Sequence, residues 1–269
     1  KSSIFASVFA YIWANGGCRE TVPHLFFCFY TPTNTRTYGF QFVFIKKNNY
    51  DSIQLHLIMK IPVEEQYKFI QLTLPNGSKA EGHAVLLHAC CAPCSAAIVE
   101  CMLRNGMKPT VYFSNSNIYP QKEYKIRKHE LMRFLEAQDV PYVEDEYDHE
   151  DWRNTIKGLE NEPERGSRCS VCFQYRLTHA AKYAQEHGFH WLTTTLASSR
   201  WKNIKQIDAA GHIAVEECPD VEWWDMNWRK GGLQNRRGEL LRINEFYNQL
   251  YCGCEFSLAS STAMQEMYH

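Results

Sequence analysis

Seven of the eleven cysteines fall in three short groups: Cys90-Cys91-Ala92-Pro93-Cys94, Cys169-Ser170-Val171-Cys172 and Cys252-Gly253-Cys254. Thiolates gathered this closely suit a soft metal or a two-electron thiol couple. Cys90, Cys91, Cys169 and Cys172 are enough to close around one metal centre, and zinc and an iron–sulfur cluster both accept four cysteines. Zinc ribbons mostly use two CxxC pairs, so the adjacent Cys90 and Cys91 favour iron–sulfur without excluding zinc. Cys94 is a further thiol, either a ligand to a second metal or a polar neighbour of the first. Cys252-Gly253-Cys254 is different in kind. A disulfide across one residue is strained and readily reduced, and Gly253 supplies the backbone freedom such a ring needs. The pair reads as a two-electron couple beside the active site; extra metal ligands or free thiols are the alternatives. Cys101 reads as a core cysteine, and Cys18, Cys28 and Cys218 as isolated buried or incidental thiols.

Other polar residues carry less. His88, beside the first group, either donates to a thiolate or is a hydrogen-bonded core histidine, and the core role is favoured. Asn115, Asn117 and Tyr119 can read a substrate ring or ribose, or simply shape a turn. Thr193-Thr194-Thr195 with Ser198-Ser199-Arg200 can cradle a phosphate at a helix start. Tyr124, Arg127 and Arg176 serve a helix surface equally well.

The elements that position these residues alternate. Strands are expected at 84–88, 110–113, 140–143, 191–195 and 221–224. Helices are expected from Pro93 to Gly106, over 121–138 with Tyr124, Leu131, Phe134 and Leu135 inward, from the CxxC to His187-Gly188, and over 203–214. This order predicts an α/β fold with a mostly parallel sheet and flanking helices. Ligands gather beyond the carboxyl ends of such strands, and Cys90, Asn115 and Ser198 all fall there.

The chain has 269 residues, 45% hydrophobic, with a formal net charge of -1, so its total charge advertises no polyanion partner. Charge is nevertheless uneven. Glu144, Asp145, Glu146, Asp148, Glu150 and Asp151 form an acidic run, and Arg200, Lys202, Lys205, Arg229, Lys230, Arg236, Arg237 and Arg242 make the later part basic. A local basic face can bind nucleic acid; scattered solvated charge explains the composition as well. CxxC groups without a small disulfide framework point to a reducing compartment. There is no apolar run long enough to span a membrane. Residues 3–14 look like a signal-peptide core but lack a convincing cleavage site. The sequence changes character at Met59, which predicts an upstream extension over 1–58 and a single catalytic α/β domain over 59–269.

Taken together, four segments resemble the epoxyqueuosine reductase QueH family. They are Leu87 to Ser95 around the first cysteines, Cys169 to Cys172 followed by Arg176-Leu177, Thr194-Thr195-Leu196 with Ser199-Arg200-Trp201-Lys202, and Tyr251-Cys252-Gly253-Cys254. The resemblance runs from about residue 65 to 258. One departure is visible: Ser114 and Ser116 stand at the first and third places of the family's Tyr-Asn-Pro-Asn-Ile run.

The resemblance implies a fold of the adenine-nucleotide α-hydrolase and PP-loop (HUP-type) group, with the phosphate loop replaced by cysteines and ATP use therefore not expected. It implies a [4Fe–4S] cluster on Cys90, Cys91, Cys169 and Cys172, a redox-active pair at Cys252 and Cys254, and a second mononuclear iron for which Cys94 is a candidate ligand. The implied substrate is tRNA carrying epoxyqueuosine at the wobble position. Its epoxide oxygen leaves with two electrons and two protons, in the last step of queuosine formation. An unidentified electron donor and a cytoplasmic setting with no membrane complete the expectation. The target base must leave the anticodon loop. Basic residues from Arg200 to Arg242 are candidate phosphate contacts. Trp201, Trp223, Trp224 and Trp228 are candidates for stacking, although core packing is the commoner role. The competing readings are an iron–sulfur tRNA thiolase of the PP-loop type, a zinc-stabilised RNA-binding module and a general thiol–disulfide oxidoreductase.

Overall fold

A computed structural model describes residues 24–29, 41–46 and 70–261. The chain divides into two units, Lys1–Gln66 and Tyr67–His269. In the first, strand β1 (His24–Phe29) pairs antiparallel with β2 (Gln41–Lys46), His24 facing Lys46. The signal-like segment and the expected change at Met59 lie outside the described residues.

The second unit is built on a five-stranded sheet: β3 (Ala84–His88), β4 (Lys108–Phe113), β5 (Tyr142–Glu144), β6 (Trp191–Thr194) and β7 (Glu222–Trp223). Their spatial order is β5-β4-β3-β6-β7, and every neighbouring pair is parallel. Parallel strands need crossovers. These are supplied by α1 (Ala92–Arg104), α2 (Gln121–Ala137), α3 (His149–Thr155), α4 (Ser167–Glu186) and α5 (Ile204–Val215), with α6 (Leu233–Ile243) and α7 (Glu255–Ala259) following the sheet. The expected α/β class with a mostly parallel sheet is what the chain forms.

Side chains alternate across a strand, and β3 uses both faces. Val85 and Leu87 join a core with Val99 of α1, Leu131 and Leu135 of α2 and Leu240 of α6. Leu86 faces the other way, onto Leu177 and Ala181 of α4 and Ile207 and Ala210 of α5. Each fully buried leucine removes apolar surface worth about 1.5–3 kcal/mol, so both helix layers are held to this central strand. Pro109 is tolerated in β4 because it precedes the stretch, from Val111, that pairs with β5.

The acidic run finds a local explanation. Asp148 caps α3 by accepting the Asp151 N–H at 2.9 Å, and Glu150 and Asp151 sit in the first helical turn. Negative charge there is favoured by the helix dipole. Cys101 and Cys218 are buried free thiols, as read from the sequence. No helix among the described residues is long and apolar enough to cross a membrane.

Helix α5 approaches β7 closely at Gly211. A Cβ there would lie 2.1 Å from Cε2 and 2.3 Å from Cδ2 of Trp223. Alanine normally improves a helix interior by about 1 kcal/mol over glycine. Here the indole is buried, so overpacking dominates. Gly211→Ala is expected to lower stability by about 1–3 kcal/mol, read as a fall in the urea midpoint. An unchanged midpoint would mean that α5 moves off the indole at no cost.

Candidate metal and substrate site

The chain runs outward from β3 to β4 and β5, then returns to the other side of β3 as β6. That reversal opens a crevice at the carboxyl ends of β3 and β6. Cys90 leaves β3 there, and Thr195 begins a short 3-10 helix, Thr195–Ser198, directly after β6. The Thr195 hydroxyl accepts the Cys90 N–H at 3.2 Å and lies 3.6 Å from its sulfur. Cys91 is the N-cap of α1 in extended backbone, and Pro93 opens the helix.

Three thiols converge at this corner. The sulfurs of Cys90, Cys91 and Cys94 lie within 4.8 Å of one another, with Cys90 and Cys91 3.7 Å apart. Cys169 occupies the first turn of α4, where its sulfur accepts the Arg165 N–H at 3.3 Å. The final pair precedes α7. Cys254 caps that helix, its sulfur accepting the Ser257 N–H at 3.4 Å, and Cys252 is exposed. Cys90, Cys91, Cys94, Cys169, Cys252 and Cys254 all line one cavity of about 750 Å³. Cys172 stands behind the wall, packed with Trp152 and Ile156 next to Cys254. All seven are free thiols.

Electrostatics separates the thiols. The close approach of the Cys91 and Cys94 thiols, helped by Lys202 and Arg176, holds the Cys90 pKa well below the usual thiol value despite burial. The nearness of Cys90 in turn raises Cys91 and Cys94. Burial lifts Cys169 and Cys254, and pushes Cys172 up to about 12. Burial pulls the Lys202 ammonium down, but Cys252, Cys90 and Cys94 around it more than offset this, and its pKa is raised.

Two arginines hold the thiol-bearing segments. Arg127 is buried, ion-paired with Glu123 at 2.8 Å, and donates to the carbonyls of Cys252 at 3.0 Å and Tyr251 at 3.2 Å. Gly253 adopts φ +135, and a Cβ there would sit 3.1 Å from Arg127 Nη1 and 3.2 Å from Ile118 Cγ1. The glycine is therefore required by both its backbone and its neighbours. Arg176 follows Cys169 and Cys172 along α4. It donates to the Ser114 carbonyl at 3.2 Å and to the Asn115 side-chain oxygen. Asn115 in turn donates to the Ala89 carbonyl at 2.8 Å. The CxxC helix is thus tied to the residue before Cys90.

Several residues expected at the substrate are committed elsewhere. His88 is fully buried, with Nδ1 2.7 Å from the Thr194 hydroxyl and Nε2 3.1 Å from the Ser114 carbonyl. A carbonyl only accepts, so Nε2 carries the hydrogen and Nδ1 accepts from Thr194. Burial, with Arg176 nearby, drives its pKa down to about 3, and both nitrogens are spent. Asn115 shapes the loop rather than facing the cavity. The threonines do not form a phosphate cradle: Thr193 donates to the Trp224 carbonyl at 2.9 Å, Thr194 serves His88, and Thr195 serves Cys90. Ser114 donates to Asp145 at 2.6 Å, and Ser116 accepts the Asp148 N–H at 3.1 Å. Both serines therefore bind the segment leading into α3. Trp223, Trp224 and Trp228 are buried in the core, and Trp201 alone of the four stacking candidates is exposed.

The profile that defines the epoxyqueuosine reductase QueH family matches residues 85–260. The chain belongs to that family. Its QueH relatives include the epoxyqueuosine reductase QueH of Histophilus somni, 46% identical over 196 residues that cover 73% of this chain and 79% of the relative. That of Haemophilus influenzae is 45% identical, covering 77% and 84%, and that of Thermotoga maritima 31% identical, covering 65% and 90%. Among solved structures, the U34-tRNA thiolase NcsA from Methanococcus maripaludis, with its [4Fe–4S] cluster, aligns with a TM-score of 0.41 at 12% identity, over 70% of this chain and 67% of that one.

The sequence left Arg127 and Arg176 open between a site role and a helix surface, with Arg176 inside one of the segments that carry the family resemblance; both are nearly fully buried, so the helix-surface alternative does not hold. Their partners are visible only in space. Arg176→Met leaves the Asn115 oxygen without its charged donor. It is expected to cost about 1.5–3 kcal/mol, seen as a lower urea midpoint. Arg176→Lys should recover only part of this, because an ammonium lacks the planar fork. Full recovery by lysine would reduce the role of Arg176 to a point charge.

Proposed function

We propose that this protein is an epoxyqueuosine reductase, which removes the epoxide oxygen of epoxyqueuosine in tRNA and leaves queuosine. The observation that carries the reading is the convergence of six clustered cysteines on one cavity with a basic rim. Residues 59–269 are its catalytic domain in this reading, and a reducing cytoplasm is its setting.

The donor set fits soft iron. The residues nearest the carboxyl end of β3 are thiols, and His88 has no nitrogen to spare. Cys90, Cys91 and Cys169, which line the cavity, together with Cys172, which lies behind its wall beside Cys254, would hold a [4Fe–4S] cluster, and Cys94, within reach of Cys90 and Cys91, is the candidate ligand for a second iron. When bound, such a centre supplies single electrons and a Lewis acid for the epoxide oxygen.

The remaining roles belong to the chain. Loss of the oxygen as water requires two electrons and two protons. Oxidation of the Cys252 and Cys254 thiols to a disulfide releases two electrons and two protons, so one turnover is balanced by one pair. An external donor then restores both thiols. Arg127 fixes the carbonyls on either side of Cys252, those of Tyr251 and of Cys252 itself, and so aims the pair. Lys202 keeps its proton and holds negative charge that develops among the thiols. A PP-loop thiolase would need amide donors for pyrophosphate at the start of α1, where this chain has Pro93 and no Gly/Ser loop.

The test is anaerobic purification with iron and sulfide analysis, a visible spectrum, and reduction in the presence of epoxyqueuosine-containing tRNA. About four irons and four sulfides per chain, with conversion to queuosine, are expected. A colourless zinc protein that leaves the substrate unchanged would instead favour the RNA-binding module.

A further inference from the structure

Trp201 is 67% exposed, whereas every other described tryptophan is at most 6% exposed. An indole carries one of the largest apolar surfaces of any side chain, and leaving it in water forgoes burial that its five described counterparts all obtain. Its exposure is not looseness of the backbone beneath it. Arg165 donates through Nε to the Trp201 carbonyl at 2.7 Å, and Arg229 donates to the Lys202 carbonyl at 2.7 Å. The loop between the 3-10 helix and α5 is therefore pinned from below while the ring stands out.

The ring also stands in a definite place. Trp201 lines the cavity that holds the clustered thiols, as do Arg165, Arg200, Lys202 and Arg237. The Arg200 guanidinium lies over the indole, 4.9 Å from its centroid, adding positive charge to an aromatic plane. A second observation points to a ligand on the same wall. Ser198 is 3% exposed and lines this cavity, yet its buried hydroxyl has no hydrogen-bond partner. A flat aromatic face surrounded by cations complements one chemistry in particular: an unpaired nucleobase between phosphates.

We infer that Trp201 is a stacking platform for the unpaired base next to the nucleotide admitted to the thiol cavity, with Arg165, Arg200 and Arg237 facing the flanking phosphates. This rests on the reductase reading for the identity of the admitted nucleotide. Trp201 is a positioning residue: it holds the RNA at the mouth and touches no reacting atom.

The experiment is binding of a fluorescein-labelled anticodon stem-loop RNA to the metal-loaded full chain, followed by anisotropy at one fixed salt concentration. Stacking of a base on an aromatic side chain corresponds to a loss of about 5- to 150-fold in affinity on truncation to alanine. Trp201→Ala should show that loss with iron content and visible spectrum unchanged, and Trp201→Phe should stay within about threefold of wild type. An abasic site beside the target nucleotide should weaken wild-type binding by a similar factor and leave Trp201→Ala binding unchanged, because both remove the same contact. Binding of Trp201→Ala within about twofold of wild type, or losses from the variant and the abasic site that simply multiply, would overturn the inference. So would an absence of any RNA binding by wild type. The two readings fail separately. Wild type that converts epoxyqueuosine RNA while Trp201→Ala binds normally removes the platform and keeps the reductase. RNA binding that depends on Trp201 without conversion keeps the platform and removes the reductase.

Discussion

Cys169→Ala is expected to purify without colour, with iron and sulfide at background and turnover down by on the order of 10³-fold or more, about 4 kcal/mol of barrier. The reason is positional. Cys169 sits in the first turn of α4, where unpaired amides and the helix dipole work against the burial that raises its pKa. Its sulfur already receives the Arg165 N–H and faces the cavity that holds Cys90, Cys91 and Cys94. Alanine keeps the helix and removes the proposed ligand. Cys101→Ala is the matched control. That thiol lies in the core under α1, away from the cavity, so its loss should cost about 1 kcal/mol of packing and leave the iron in place. Iron retained at wild-type stoichiometry in Cys169→Ala would remove this residue from the ligand set.

Cys252→Ser is expected to behave in the opposite way. Iron, sulfide and visible spectrum should match wild type, while multiple turnover falls by roughly 10²–10⁴-fold, the range associated with losing a positioned proton-transfer group. Serine preserves shape and the Arg127 contact, which is made by the backbone carbonyl of residue 252 rather than by its sulfur. What it removes is the proposed capacity to give up two electrons and two protons with Cys254. If the serine variant bleaches on purification, Cys252 is a metal ligand and the two-electron role passes elsewhere.

The sheet was legible because its strands are short apolar runs bounded by clear punctuation. The 84–88 strand, the inward face of the 121–138 helix and the placement of Cys169 in the first turn of a helix follow from period and capping, whereas Cys172, expected in the same turn, falls in the second because the helix starts earlier, at Ser167. The α3 helix was not foreseen, because His149–Thr155 is too short to show a periodic face and its cap lies inside an acidic run that reads as solvated charge. At the site, cysteine spacing marked the thiols without assigning their neighbours in space. Spacing cannot report that Cys94 sits with Cys90 and Cys91, or that Cys172 packs behind the cavity wall with Trp152. The threonine run misled for a related reason. Hydroxyls at a strand end look free in one dimension, and only the register of β3 against β6 aligns His88 with Thr194 and occupies them.

The order of the thiols along the chain has a consequence for biogenesis. Synthesis delivers Cys90, Cys91 and Cys94 first, on the loop after β3. Their companions on α4 arrive only after β4, β5 and α3 have been made. The last pair emerges after the whole sheet, and Arg127 of α2 must already be in position to receive its carbonyls. A ribosome-bound intermediate thus offers three adjacent thiols long before the rest of the cavity wall exists. If Cys90, Cys91, Cys169 and Cys172 hold one centre, it can be completed only in the finished α/β unit, and a chain stalled before α4 presents a bare thiol triad to whatever soft ion or oxidant it meets.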